Sequence, residues 1–182
     1  MASPTDPNQV HIMVDLETLS TRANSTIVSI GATKFRLDGK PEEEFYINVD
    51  AKSCKDRGLH IDKKTVEWWQ QQKPEALKAL MVDPVDIEDA LEAFTQFIGN
   101  EPNCMIWGNG ASFDVTILEE AYEACGISEY PWKHWNIMCF RTVMNLMGLR
   151  NSDIRAADND LHHHALDDAK SQANTLRKIL NT

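Results

Sequence analysis

The chain predicts an α/β domain with a mixed five-stranded sheet flanked by helices, and two patterns carry that expectation. Three apolar, β-branched runs follow one another before position 50. After them, short apolar runs alternate with stretches of helical period. The first run is Val10-His11-Ile12-Met13-Val14-Asp15-Leu16-Glu17-Thr18, which reads as a strand from its Val and Ile content. Leu19 to Thr26 is a polar loop, and Ile27 to Phe35 is the second strand. Asp38-Gly39 supplies residues that tolerate positive φ in a hairpin turn, and Glu44 to Val49 completes an antiparallel trio.

Helices dominate the middle. Asp62 can cap a helix over Lys63 to Gln70, Pro74 can open a short one through Leu80, and Asp86 can cap a third. In that third helix Ile87, Ala90, Leu91, Phe94 and Ile98 recur on one face. Cys104 to Trp107 reads as a buried strand broken by Gly108-Asn109-Gly110. A helix follows from Phe113, with Val115, Leu118, Ala121 and Tyr122 inward. Trp135 to Cys139 is the fifth strand. Phe140, Val143, Met144 and Met147 mark a helix that stops at Gly148, and the polar stretch Asn151 to Asp160 reads as a loop or flap. Leu166, Ala169, Ala173, Leu176 and Leu180 form the apolar stripe of a last helix.

At 182 residues the chain has length for one domain with a core: residues 1–9 as a loose tail and 10–182 as the folded unit. No apolar run is long enough to span a bilayer and the start lacks the pattern of a signal peptide, so a cytoplasmic protein without a membrane partner is expected. The four cysteines show no Cys-x-x-Cys spacing and read as reduced thiols. A net charge of -10 argues against a protein that coats nucleic acid through a broad basic surface, but not against an enzyme that grips one strand end.

Alternation along the first strand puts Asp15 and Glu17 on one face, where their charges repel. Divalent cations between them would relieve that repulsion; a solvated strand end is the plainer account. Asp114, at the start of a helix, could simply complement its dipole. Asp168 follows three consecutive histidines, an internal run that is no expression tag.

Together, Asp15-x-Glu17, Asp114 after Asn109 and Phe113, and His163-x-Ala165-x-x-Asp168 resemble the signature of the DEDDh 3'-5' exonucleases. That group includes RNase T, oligoribonuclease and the proofreading epsilon subunit of bacterial DNA polymerase III. Val66-Glu67-Trp68-Trp69, the stretch Trp107 to Asp114, and Phe140-Arg141-Thr142 look most like small exoribonucleases of mycobacterial and phage or prophage type. The likeness runs from about Val10 to Leu180; in one departure, Asn109 stands five residues before Asp114 rather than four.

The resemblance implies a ribonuclease H-like fold and two-cation hydrolysis of phosphodiester bonds from the 3' end of RNA, releasing nucleoside 5'-monophosphates. DNA is the alternative substrate, and a non-catalytic nucleic-acid-binding module of the same fold a further one. It implies Asp15, Glu17, Asp114 and Asp168 as ligands of two divalent cations, Mg²⁺ or Mn²⁺, and His163 as the base that takes a proton from water. On a continuous helix the five-residue step from His163 to Asp168 would separate them, so His163 should precede the helix; His164 is the competing choice. Thr18, Leu19, Asn109 and Phe113 would border the terminal nucleotide, and Arg141 would clamp a phosphate or else form a structural ion pair. Trp68, Trp69 and Trp107 are each either core or a base-stacking platform. Relatives often pair, so a homodimer is an expected state.

Overall fold

A computed structural model describes residues 3–37, 43–101, 103–110, 112–150 and 163–181. The Asp38-Gly39 turn, Ala111, the loop expected over Asn151 to Asp160, and His162 lie outside the described residues.

Five strands form one sheet: β1 His11–Thr18, β2 Ile27–Phe35, β3 Glu43–Asn48, β4 Met105–Gly108 and β5 Ile137–Cys139. Their order is β3-β2-β1-β4-β5, with β1 antiparallel to β2 and parallel to β4. The most apolar strand therefore sits in the middle, where both faces must be covered. On one face Val10, Ile12, Val14 and Leu16 join a core with Ile87, Leu91 and Phe94 of α4 (Ile87–Ile98) and Val115, Leu118 and Tyr122 of α5 (Asp114–Ala124). On the other, Met13, Phe35 and Trp107 meet Phe140 and Met144 of α6 (Phe140–Leu146) and Ala169, Ala173 and Leu176 of α7 (Ala165–Leu180).

The expected caps are in place. Asp62 accepts from the Lys64 amide at the head of α2 (Lys63–Trp69), Asp86 accepts from the Glu88 amide at α4, and Pro74 opens α3 (Pro74–Ala79). Each side-chain cap contributes about 1 kcal/mol. One helix went unread: α1, Ala51–Asp56, is capped by Asp50 but buries only Ser53 and Cys54, too little for an apolar period to show.

Several edges shift from expectation by a residue or two, as where β4 runs on through Gly108, and some buried positions shift with them. The fifth strand starts at Ile137, because a 3₁₀ turn over His134–Asn136 precedes it and turns Trp135 out to 61% exposure. Helix α6 ends at Leu146, so Met147 falls beyond the buried stripe and is exposed. At the start of α7 the buried place belongs to Ala165, while Leu166 is only half-buried. Among the described residues no helix is long and apolar enough to cross a membrane. All four cysteines are free thiols, and burial pushes Cys54 and Cys104 up to about 11.

Candidate active site

The pleat that sends Val14 and Leu16 into the larger core sends Asp15 and Glu17 the other way, at the C-terminal end of the central strand. Two elements from elsewhere in the chain complete the cluster. Helix α7 brings Asp168 so close that one carboxylate oxygen each from Asp15, Glu17 and Asp168 lie within 4.8 Å of one another. Asp114, the first residue of α5, reaches back to the same strand: its Oδ1 accepts from the Leu16 amide at 3.3 Å and its Oδ2 from the Asn109 amide at 3.1 Å.

Both approaches depend on a missing side chain. Gly31 is the register partner of Asp15 on β2, and a Cβ there would stand 2.1 Å from the Leu166 nitrogen and 2.2 Å from the Ala165 carbonyl carbon. The start of α7 thus lies directly on the sheet, which sets the depth of Asp168. A Cβ on Gly108 would stand 2.9 Å from Asp114 Oδ2.

The electrostatics follow from burial and crowding. Asp15 is raised well above the ordinary carboxylate range, first by burial and then by Asp114, Glu17 and Asp168. Glu17, 8% exposed, is pushed up to about 8 by burial and by Asp168 and Asp114. Burial pushes Asp114 up to about 7, against the pull of its backbone N–H partners and of the Arg141 charge. Such a group holds protons unless cations replace them. An oxygen-only set of hard, anionic donors fits magnesium or manganese rather than a thiophilic metal.

The two described histidines of the triplet take different places. His163 precedes α7 in a left-handed backbone conformation, φ +72°, and its ring stands nearly perpendicular to that of Trp68, with centroids 4.9 Å apart. His164 immediately precedes α7, stacks on Tyr46 at 4.3 Å and holds Nδ1 3.3 Å from Asp167 Oδ2.

Beside Glu17 opens a cavity of about 490 Å³ lined by Leu16, Thr18, Ser20, Lys64, Trp68, Trp69 and Phe113, among others. The tryptophans divide. Trp69 is buried and donates through Nε1 to the Thr18 carbonyl at 2.9 Å, and Trp107 is buried and donates to His11 Nδ1 at 3.0 Å, so both are core. Trp68 alone of the three is exposed, at 41%, on the cavity wall. Thr18 and Phe113 line this cavity, whereas Leu19 lines a neighbouring apolar one of about 360 Å³ behind Trp69. Arg141 donates to the Asn109 carbonyl and packs over Gly110, so part of its guanidinium braces the loop before Asp114. Asn109 Oδ1 is buried without a partner among the described residues.

One residue at the cluster escaped the sequence reading. Gln172 donates through Nε2 to Asp15 Oδ1 at 2.9 Å. Its signal was there: it stands four residues after Asp168 and so shares that face of the helix.

Comparison with known proteins identifies the family and the fold. A family model described as the 3'-5' exoribonuclease Rv2179c-like domain matches residues 10–180. A protein named exodeoxyribonuclease, from Enterobacteria phage T4, is 27% identical over 157 residues, covering 71% of this chain and 68% of the phage protein. Among solved structures, the nuclease domain of 3'hExo, a DEDDh family member bound to rAMP, superposes with a TM-score of 0.63 at 12% identity, over 95% of this chain and 92% of that one. Exonuclease I of E. coli, in complex with a dA16 oligonucleotide, gives 0.63 at 15% identity, over 96% of this chain and 42% of its own length. At such identities the likeness shows the fold, which is ribonuclease H-like.

Proposed function

We propose, from the premise that this chain belongs to the family of Rv2179c-like 3'-5' exoribonuclease domains and is a 3'-5' exonuclease, that it removes nucleoside 5'-monophosphates from the 3' end of RNA by metal-dependent hydrolysis. The observation that carries this reading is the convergence of Asp15, Glu17 and Asp168 within 4.8 Å beside a nucleotide-sized cavity, with Asp114 close enough to raise Asp15. Crowded carboxylates destabilise a fold that gains nothing from them, so a charge of opposite sign is their natural counterpart.

In this reading Asp15, Glu17, Asp114 and Asp168 would hold two divalent cations through their carboxylate oxygens. When bound, magnesium or manganese supplies the positive charge that activates water and offsets charge on the departing oxygen. His163 takes the proton of the attacking water from its place before α7. Trp68 offers a face to the terminal base, Thr18 and Phe113 border it, Asn109 contributes a side-chain Oδ1 that has no partner among the described residues, Leu19 shapes the wall from behind, and Arg141 steadies the Asn109 loop while its remaining donors meet phosphate. A cytoplasmic location is part of the same proposal.

The family description favours RNA, and the name of the phage relative favours DNA as a second reading. The reacting phosphate is common to both. End-labelled single-stranded RNA and DNA, incubated with Mg²⁺ or Mn²⁺ and with or without EDTA, separate them. The expected result is stepwise shortening of RNA from the 3' end, abolished by EDTA and by Asp15→Asn. Faster shortening of DNA would transfer the proposal to the second reading, and cleavage that survives EDTA would end the metal mechanism.

A further inference from the structure

Gln172 is 6% exposed, on α7 between Ala169 and Ala173, which are both fully buried. Its Nε2 is spent on Asp15 Oδ1, and its Oε1 is enclosed without a partner among the described residues. The reverse orientation would set a carbonyl oxygen against a carboxylate. Packing does not explain this residue, because a methionine of the same length would fill the space without leaving a buried acceptor unpaired. Nor is its position adjustable: the contact of Ala165 and Leu166 with Gly31 seats the whole helix, so one placement sets both Asp168 and Gln172 against Asp15.

We propose that Gln172 is a positioning residue for the cation cluster: its amide N–H orients the Asp15 carboxylate for ligation, and its Oε1 accepts a hydrogen bond from a water on the bound cation. The inference rests on the reading of Asp15, Glu17, Asp114 and Asp168 as cation ligands. Outer partners of this kind fix a ligand's orientation, and their loss weakens metal binding by about 10–100-fold.

Metal-free protein is titrated with Mn²⁺ while free Mn²⁺ is followed by electron paramagnetic resonance, and Tm is measured with and without Mg²⁺. Gln172→Met is expected to bind Mn²⁺ about 10–100-fold more weakly and to show a smaller Mg²⁺-dependent rise in Tm, with metal-free Tm unchanged or higher. An affinity within about twofold of wild type overturns the proposal, as does a lower metal-free Tm with the Mg²⁺ response intact, which is the mark of a merely structural side chain. Should Gln172→Met fail to fold, Gln172→Asn, whose amide falls a methylene short of Asp15, carries the same expected loss and the same criterion. Asp15→Asn keeps the two levels apart. If wild type does not bind Mn²⁺, or Asp15→Asn binds it equally well, the ligand assignment itself falls. If binding is lost in Asp15→Asn yet kept in Gln172→Met, only the role of Gln172 falls.

Discussion

The two faces of β1 are built from alternate residues of one strand and do opposite things. Toward α4 and α5 it presents Val10, Ile12, Val14 and Leu16, none more than 5% exposed, and that face contributes stability along its full length. Toward α6 and α7 it begins as core, with His11 and Met13, and ends in Asp15 and Glu17. The second face gives up stability at its end to hold like charges together. On the proposed function the pleat of one strand separates catalysis from folding, and substitutions on the two faces should move different observables.

The largest effect is expected at the acidic end. Asp15→Asn should lower turnover by about three orders of magnitude, while the metal-free protein at pH 8 melts no lower than wild type, since a neutral amide removes repulsion and can still accept from Gln172. A variant that lost activity only because it unfolded would erase the contrast between the faces. Phe94→Ala tests the opposite face: removing a fully buried ring should cost about 3–5 kcal/mol by denaturant unfolding, with specific activity of the folded fraction retained. Gly31→Ala probes the seam between the two. The added methyl meets backbone, which cannot swing aside, so α7 must lift and carry Asp168 with it. A displacement near 1 Å would lower kcat by about 100-fold; unaltered kcat would show that the depth of α7 does not set the site.

The smallest effect is a pH trend. In the fold, Glu17 is pushed up to about 8 and Asp114 to about 7, so the metal-free folded protein binds more protons than the unfolded chain from about pH 4 upward, and its stability falls as pH rises through that window. His11 acts with the opposite sign: burial pushes it from 6.5 down to about 4, so its contribution is lost as pH falls from 6.5 toward 4. Between pH 6.5 and 8 the acids act alone. Metal-free Tm should fall across that interval, and the gain in Tm on adding Mg²⁺ should grow. A metal-free Tm that is flat or rising there would mean that the acids are not crowded in solution.

Much of the fold was legible because local patterns carried it. The α4 stripe is buried residue for residue, and the caps Asp62 and Asp86 are where their side-chain chemistry placed them. Helix α1 was not legible, since its two buried side chains leave no period to detect. The fate of the tryptophans was not legible either. Adjacent residues on α2 diverge by rotation, but which of Trp68 and Trp69 turns inward depends on the Thr18 carbonyl waiting at the end of β1.

Residue pattern alone was enough for the class of the domain, the strand that ends in two acids, and the identity of the distant acids and histidines worth watching, because periodicity and motif spacing are local properties of a chain. It took the packing of helix on sheet to bring Asp168 and Gln172 down on Asp15 together, to make Gly31 what lets them, and to turn Trp68 rather than Trp69 or Trp107 toward the cavity. Those relations are distances between residues far apart in sequence, set by how closely a helix can approach a sheet, and no local pattern encodes that approach.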